Sequence, residues 1–153
     1  MDFLRDDLHE GAFGNALEEF AEARLFEHWL TRGDGALLSL EELREEVDLT
    51  ETEYLGGLVD FTGELGRYGV ERASKRDLEA VKQALASMRV VKSHAISLQD
   101  SMSGKMSKKL EAVFTNERKM QNILYELILV TRSKRKSMEL SSTAHNDSAA
   151  DES

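Results

Sequence analysis

Apolar side chains recur every three or four residues along most of the chain, and nowhere do they alternate convincingly in twos. That spacing predicts helices. The first strong run extends from Asn15 to about Thr31, and "RGDG" (32–35) stops it. Residues 1–14 are ambiguous, because Gly11 and Gly14 weaken a helix there. "SLEE" (39–42) is a capping box, with Ser39 as N-cap and Glu42 at the third helical position, and it opens a short helix to about Val47. "TETE" (50–53) is a second box and starts a helix to about Ala73. "SKRD" interrupts the pattern before a fourth helix, about Asp77 to Leu98, and "QDSMSG" reads as a loop. A last helix, roughly Lys105 to Lys134, carries Leu110, Val113, Phe114, Ile123, Leu124, Leu127 and Ile128 at helical spacing. The end, "SSTAHNDSAADES", has no hydrophobe larger than alanine and is expected to be disordered. The pattern therefore predicts an all-α fold: an antiparallel bundle of about five helices over residues 1–138, then a disordered polar tail over 139–153.

The third of these helices contains "EYLGGLVDFTGELGRYGV" (53–70), with five glycines. Each costs a helix roughly 1 kcal/mol relative to alanine, so close approach by another helix or by a ligand is the expected reason for them. At about 100° per residue, Asp60 and Glu64 share one side of this helix, with glycines flanking them. On the first helix, Glu19 and Glu22 fall within the arc marked by Trp29, Phe26 and Leu30. Burying a carboxylate is costly unless it is paired, protonated or bound to a metal. Two readings stay open here: acids on partly buried faces paired with arginines, or two acid pairs that converge. Four converging carboxylates would repel one another, and a hard divalent cation such as Mg²⁺ would relieve that and serve phosphodiester hydrolysis. A ferritin-like di-metal site needs Glu-x-x-His ligands. No histidine lies three residues after any of these acids, and His28 faces elsewhere.

Composition changes the picture in two ways. The chain of 153 residues has no cysteine, which excludes disulfides and thiolate metal sites and fits a reducing compartment. No apolar run approaches the roughly 18–20 residues that span a membrane, and "MDFLRDDLHEG" lacks the basic and apolar parts of a secretory signal. A soluble, intracellular protein is expected. Charge is uneven: residues 1–80 hold 8 basic and 21 acidic groups, net −13, whereas residues 81–153 hold 12 and 8, net +4. A polyanion is repelled by the first half, so nucleic-acid binding would need cations or a basic partner. The run "RSKRK" (132–136) reads as a solvated helix end, a phosphate contact or a nuclear import signal.

"ALEEFAEARLFEHWL" and "EYLGGLVDFTGELGRYGV" resemble the signature segments of the translin superfamily, specifically its translin-associated factor X (TRAX) branch. "D-x-T-G-E-L" is the most specific part, and it separates TRAX from translin proper. "MSKKLEAVFTNERKMQNILYELIL" (106–129) resembles the family's final long helix, while residues 77–98 match weakly. The resemblance implies the translin-type helical bundle, lacking its N-terminal helices, since this sequence opens almost at the signature. It implies a catalytic subunit of a translin–TRAX endoribonuclease, Mg²⁺-dependent and acting on single-stranded RNA such as small-RNA passenger-strand fragments or tRNA-processing leftovers. Position by position, it assigns the catalytic acids to Glu19, Glu22, Asp60 and Glu64. Glu22 and Glu64 would ligate Mg²⁺, while Glu19 and Asp60 complete the shell and position the attacking water. It also implies a translin-like partner that supplies most of the RNA- or DNA-binding surface, and a cytoplasmic and nuclear location. A different class of function fits the same segments: a non-catalytic translin-binding subunit that stabilises the complex. A helical adaptor outside the family is the third reading.

Overall fold

The structure, a computed structural model, describes residues 11–98 and 103–147. The described residues form five helices and no strand: α1 (Ala12–Arg32), α2 (Leu40–Arg44), α3 (Glu51–Ser74), α4 (Leu78–Leu98) and α5 (Gly104–Asp147). The all-α reading holds.

Local chemistry accounts for most helix ends. Gly11 at φ 73° precedes α1, and Gly33 in the left-handed region closes it, its N–H donating to the Trp29 carbonyl. Both expected capping boxes form. The Ser39 hydroxyl accepts from the Glu42 N–H while the Glu42 carboxylate accepts from the Ser39 N–H, and Thr50 and Glu53 repeat the exchange at the start of α3. Arg76 adopts φ 60° at the "SKRD" interruption, and Asp77 then accepts from the Ala80 N–H as α4 begins.

The last helix runs further than its expected end near Lys134 and continues through Asp147. Residues 131–143 are exposed and pack on nothing among the described residues. Arg135 pairs with Glu139 one turn later, and the Ser141, Ser142 and Thr143 hydroxyls donate to carbonyls of the preceding turn. Residues 148–153 of the expected tail, residues 1–10 and most of the expected "QDSMSG" loop lie outside the described residues.

Helices α3, α4 and α5 follow one another antiparallel, as expected. The long connection 33–50 brings the chain back before α3 starts, so α1 lies beside α3 in the same direction. Glu18 sits over Gly56, Ala21 over Gly57, Phe26 against Phe61 and Trp29 against Tyr68. Helix α5 crosses the same helix: the Asn116 amide donates to the Thr62 hydroxyl at 3.1 Å, and Met120 covers Gly69.

The core gathers around α3. Phe61, Leu65, Leu25, Leu85, Met88, Val113 and Met120 are all buried there. Trp29 is 2% exposed and anchors the far end, edge-on to Tyr68 at 5.1 Å between ring centres, with its Nε1–H donating to Ser87 Oγ at 2.8 Å.

Candidate active site

The acids are placed by the α1–α3 contact. Leu17, Ala21, Leu25 and Trp29 are the buried large and small side chains of α1, spaced four apart. At about 100° per residue, Glu18 falls within that stripe and Glu22 at its edge. Glu19 falls on the exposed side, about 100° from Glu18. The sequence reading centred the apolar arc on Phe26 and Leu30, but Leu30 is 47% exposed. That displacement exchanges Glu19 for Glu18.

Helix α3 meets this stripe with glycine. A β-carbon on Gly57 would stand 2.6 Å from the Ala21 methyl and 3.0 Å from both the Glu18 carbonyl oxygen and the Glu22 amide nitrogen. One on Gly56 would meet the Glu18 carboxyl carbon at 2.5 Å. Two of the five glycines thus let α1 lie directly on α3 and let the Glu18 side chain cross it. Gly69 does the same for Met120, whereas Gly63 faces open space and Gly66 is in ordinary contact.

With the helices this close, the Glu22 carboxyl of α1 and the Glu64 carboxyl of α3 influence one another's acidity. Burial first, then the charges of Asp60 and Glu64, hold the Glu22 carboxyl above its ordinary value. Glu64 moves the other way, because the Arg67 guanidinium one turn along α3 hydrogen-bonds its carboxylate, Nε to Oε2 at 3.1 Å. The two acids have been pushed apart in acidity, so that Glu22 is the one that keeps a proton longest. Asp60 lies beside them and accepts from Lys109 of α5, Nζ to Oδ2 at 3.2 Å. The same ammonium reaches the Glu18 carboxylate.

Of the four expected site residues, Glu22 feels the charges of both Asp60 and Glu64, but among the described residues no three of them form a group that could hold a metal ion. Glu19 is exposed and has no hydrogen bond or ion pair to them among the described residues. Glu18 and Lys109 pair beside Asp60 instead, and the sequence reading passed over both. Glu18 was legible from the four-residue spacing of Leu17, Ala21, Leu25 and Trp29. Lys109 carried no such signal, since its role depends on where α5 crosses α3.

The chain belongs to the translin family. The family's pattern matches residues 4–131. The chain is also similar to the translin-associated protein X homolog of the fission yeast Schizosaccharomyces pombe, 26% identical over 135 residues. That alignment takes in 86% of this chain and 58% of the yeast protein, so the chain spans a little over half the length of the curated relative it matches. The likeness falls on the TRAX side of the translin family, as the "D-x-T-G-E-L" segment implied.

The donor chemistry can be tested against the divalent cation that the TRAX resemblance implies. Mg²⁺ is commonly held by one or two carboxylates and keeps several waters. Glu22 and Glu64 supply such a pair, adjoining one another and partly open to solvent. Among the described residues no three acidic or histidine side chains are grouped as a metal cage. A divalent cation on these two carboxylates would need water and substrate oxygens for the rest of its shell.

Away from this cluster, a cleft of about 890 Å³ opens between the 33–50 connection, the start of α3 and the end of α4. Leu37, Leu38, Tyr54, Leu55, Val90 and Met106 line it, and none of Glu18, Glu22, Asp60 and Glu64 does. Tyr54 donates to the Leu38 carbonyl at 2.7 Å, and burial pushes its phenol up to about 12. Among the described residues no helix is long and apolar enough to cross a membrane.

Proposed function

We propose that this chain is the catalytic, TRAX-like subunit of a translin-type endoribonuclease that hydrolyses single-stranded RNA with Mg²⁺. The observation that supports this reading most is the close α1–α3 approach at Gly57, where a β-carbon would stand 3.0 Å from the Glu22 amide nitrogen; it brings the Glu22 carboxyl under the influence of Asp60 and Glu64. Glu22 and Glu64 would hold the cation. When bound, Mg²⁺ supplies neutralisation of phosphate charge and a more acidic water.

The chain's own residues would do the rest. Glu22 would serve as a ligand in its carboxylate form. Asp60, 40% exposed, would orient a water by accepting its hydrogen bond. Arg67, 70% exposed at the rim, would leave Glu64 and pair with a backbone phosphate through its fork of N–H groups. Glu19, which the resemblance names among the catalytic acids, would act from outside this cluster if it acts at all. The acidic surface of residues 1–80 argues that a basic, translin-like partner brings the RNA.

The test is cleavage of a labelled single-stranded RNA by the chain co-expressed with a translin-like partner. Cleavage that needs Mg²⁺, stops with EDTA and is lost in Glu22→Gln and Glu64→Gln supports the reading. Cleavage that survives both substitutions overturns it.

A second reading is a non-catalytic subunit that stabilises the complex. It is favoured by the apolar residues that α5 leaves in water, Tyr125, Leu129 and Val130 at 64%, 46% and 45% exposure. A complex that assembles and binds RNA yet binds no divalent cation would select it.

A further inference from the structure

Two surfaces near opposite ends of α5 are left open, and each carries the charge that the other lacks. The first is the cleft of about 890 Å³ where α5 begins. Leu37, Leu55, Val90 and Met106 give it apolar walls, and Glu41 and Glu51 line it as well. Both glutamates are exposed, and neither has an ion pair among the described residues. The chain around them is acidic: between residues 34 and 53, acids outnumber the single basic residue, Arg44, by eight to one.

The second surface is the free end of α5, where every residue from 131 to 143 is exposed. At about 100° per residue, Tyr125, Leu129, Arg132, Lys136 and Leu140 share one stripe about 80° wide. Tyr125 and Leu140 are each 64% exposed, so the stripe begins and ends apolar, with two cations between. Arg135 is held by Glu139, but neither Arg132 nor Lys136 has an ion pair among the described residues. A helix face of this kind suits an apolar groove edged with acids.

One molecule cannot bring the two surfaces together. Met106 lines the cleft, and Arg132 lies about 39 Å further along the same helix at 1.5 Å per residue. The stripe reaches a cleft only on another copy. We propose that the free end of α5 docks in the cleft of a second copy of this chain. Tyr125, Leu129 and Leu140 pack there against Leu37, Leu55 and Val90, and Arg132 and Lys136 pair with Glu41 and Glu51. Each copy carries both surfaces, so two copies laid antiparallel complete both contacts at once.

Sedimentation of the full chain at a series of concentrations tests this. The average mass of the native chain rises from the monomer with concentration and falls back in high salt. Arg132→Glu with Lys136→Glu stays monomeric, as does Glu41→Lys with Glu51→Lys. Mixed in equal amounts, the two double variants associate again, because the acidic stripe of one fits the basic cleft of the other and the two unaltered surfaces still match. Leu140→Asp, on a segment that packs on nothing, weakens association about tenfold with no loss of thermal stability. A native chain that stays monomeric at every concentration overturns the proposal. So do double variants that associate as the native chain does, and a mixture that stays monomeric although both variants unfold cooperatively.

Discussion

Gly57 of α3 lies against Ala21 of α1 so closely that a β-carbon there would stand 2.6 Å from the alanine methyl. This contact, backbone against backbone, sets the separation of Glu22 from Glu64. Gly57→Ala gains helix propensity of about 1 kcal/mol but must displace α1, because the neighbouring Glu18 carbonyl and Glu22 amide cannot rotate away. Overpacking of this kind costs about 1–3 kcal/mol, so a net loss of up to about 2 kcal/mol is expected in urea unfolding. Gly63→Ala is the matched comparison. Its β-carbon meets nothing within 4 Å, and it should stabilise the chain by about 0.4–1 kcal/mol. Equal effects at the two positions would contradict the close-contact account.

Glu18 and Glu19 are neighbours in sequence with opposite surroundings. Glu18 pairs with Lys109 across Gly56, while Glu19 is exposed. Glu19→Gln should leave Mn²⁺ affinity of the chain within about twofold, the usual range for a surface change. Glu18→Gln should alter it clearly, because Lys109 is then left to Asp60 alone. A loss of metal binding in Glu19→Gln with none in Glu18→Gln would reverse this assignment.

Trp29 fixes the end of α1 by burial and by its bond to Ser87. Trp29→Phe should cost about 1–3 kcal/mol, since it removes the indole donor from a buried hydroxyl. Trp29→Ala should cost about 3–5 kcal/mol from the cavity it leaves. Thermal unfolding followed by far-ultraviolet circular dichroism measures both. Equal losses in the two variants would show that the hydrogen bond, not the packed ring, dominates.

Glu117 ties α5 to α4. Lys92 donates to it at 2.6 Å and Arg89 at 3.2 Å, and these two cations hold its carboxyl below the ordinary value of 4.5. A carboxyl lowered in the folded state contributes stability that is present above its unfolded value and lost as pH falls through the lower folded value. Native stability should therefore drop as pH falls below about 4.5, and Glu117→Gln should flatten that part of the profile. Parallel profiles for the two proteins would contradict the pairing.

Much of this fold is legible in the residues themselves. Ser39 with Glu42 and Thr50 with Glu53 declare two helix starts, because a capping box is a local interaction that needs nothing beyond its own four residues. The glycines announce a close contact, and Gly56, Gly57 and Gly69 make one. Gly63 does not, and sequence alone offers no way to separate it from the others. The acid pair on α3 was placed correctly, since Asp60 and Glu64 are one turn apart on the same side. On α1, Glu22 lies at the edge of the buried stripe but Glu19 is exposed: Phe26 and Leu30 look like core, but Leu17 and Ala21 set the stripe. Lys109 is invisible to any such reading, because its partners lie on helices far away in sequence and the register of α5 decides which lysine arrives. The extension of α5 to Asp147 was missed for another reason. Composition describes what a segment can bury, whereas an ion pair one turn apart such as Arg135–Glu139 supports a helix without burial.

Glu22 and Glu64 are the two carboxylates proposed to hold a divalent cation between them. Crystals of the chain with its translin-like partner, soaked in Mn²⁺ and measured at the manganese absorption edge, address that directly. An anomalous peak in contact with both the Glu22 and Glu64 carboxylates, absent from Glu22→Gln crystals, is the predicted result. No peak there would contradict the reading and leave the acids a structural feature of the α1–α3 contact.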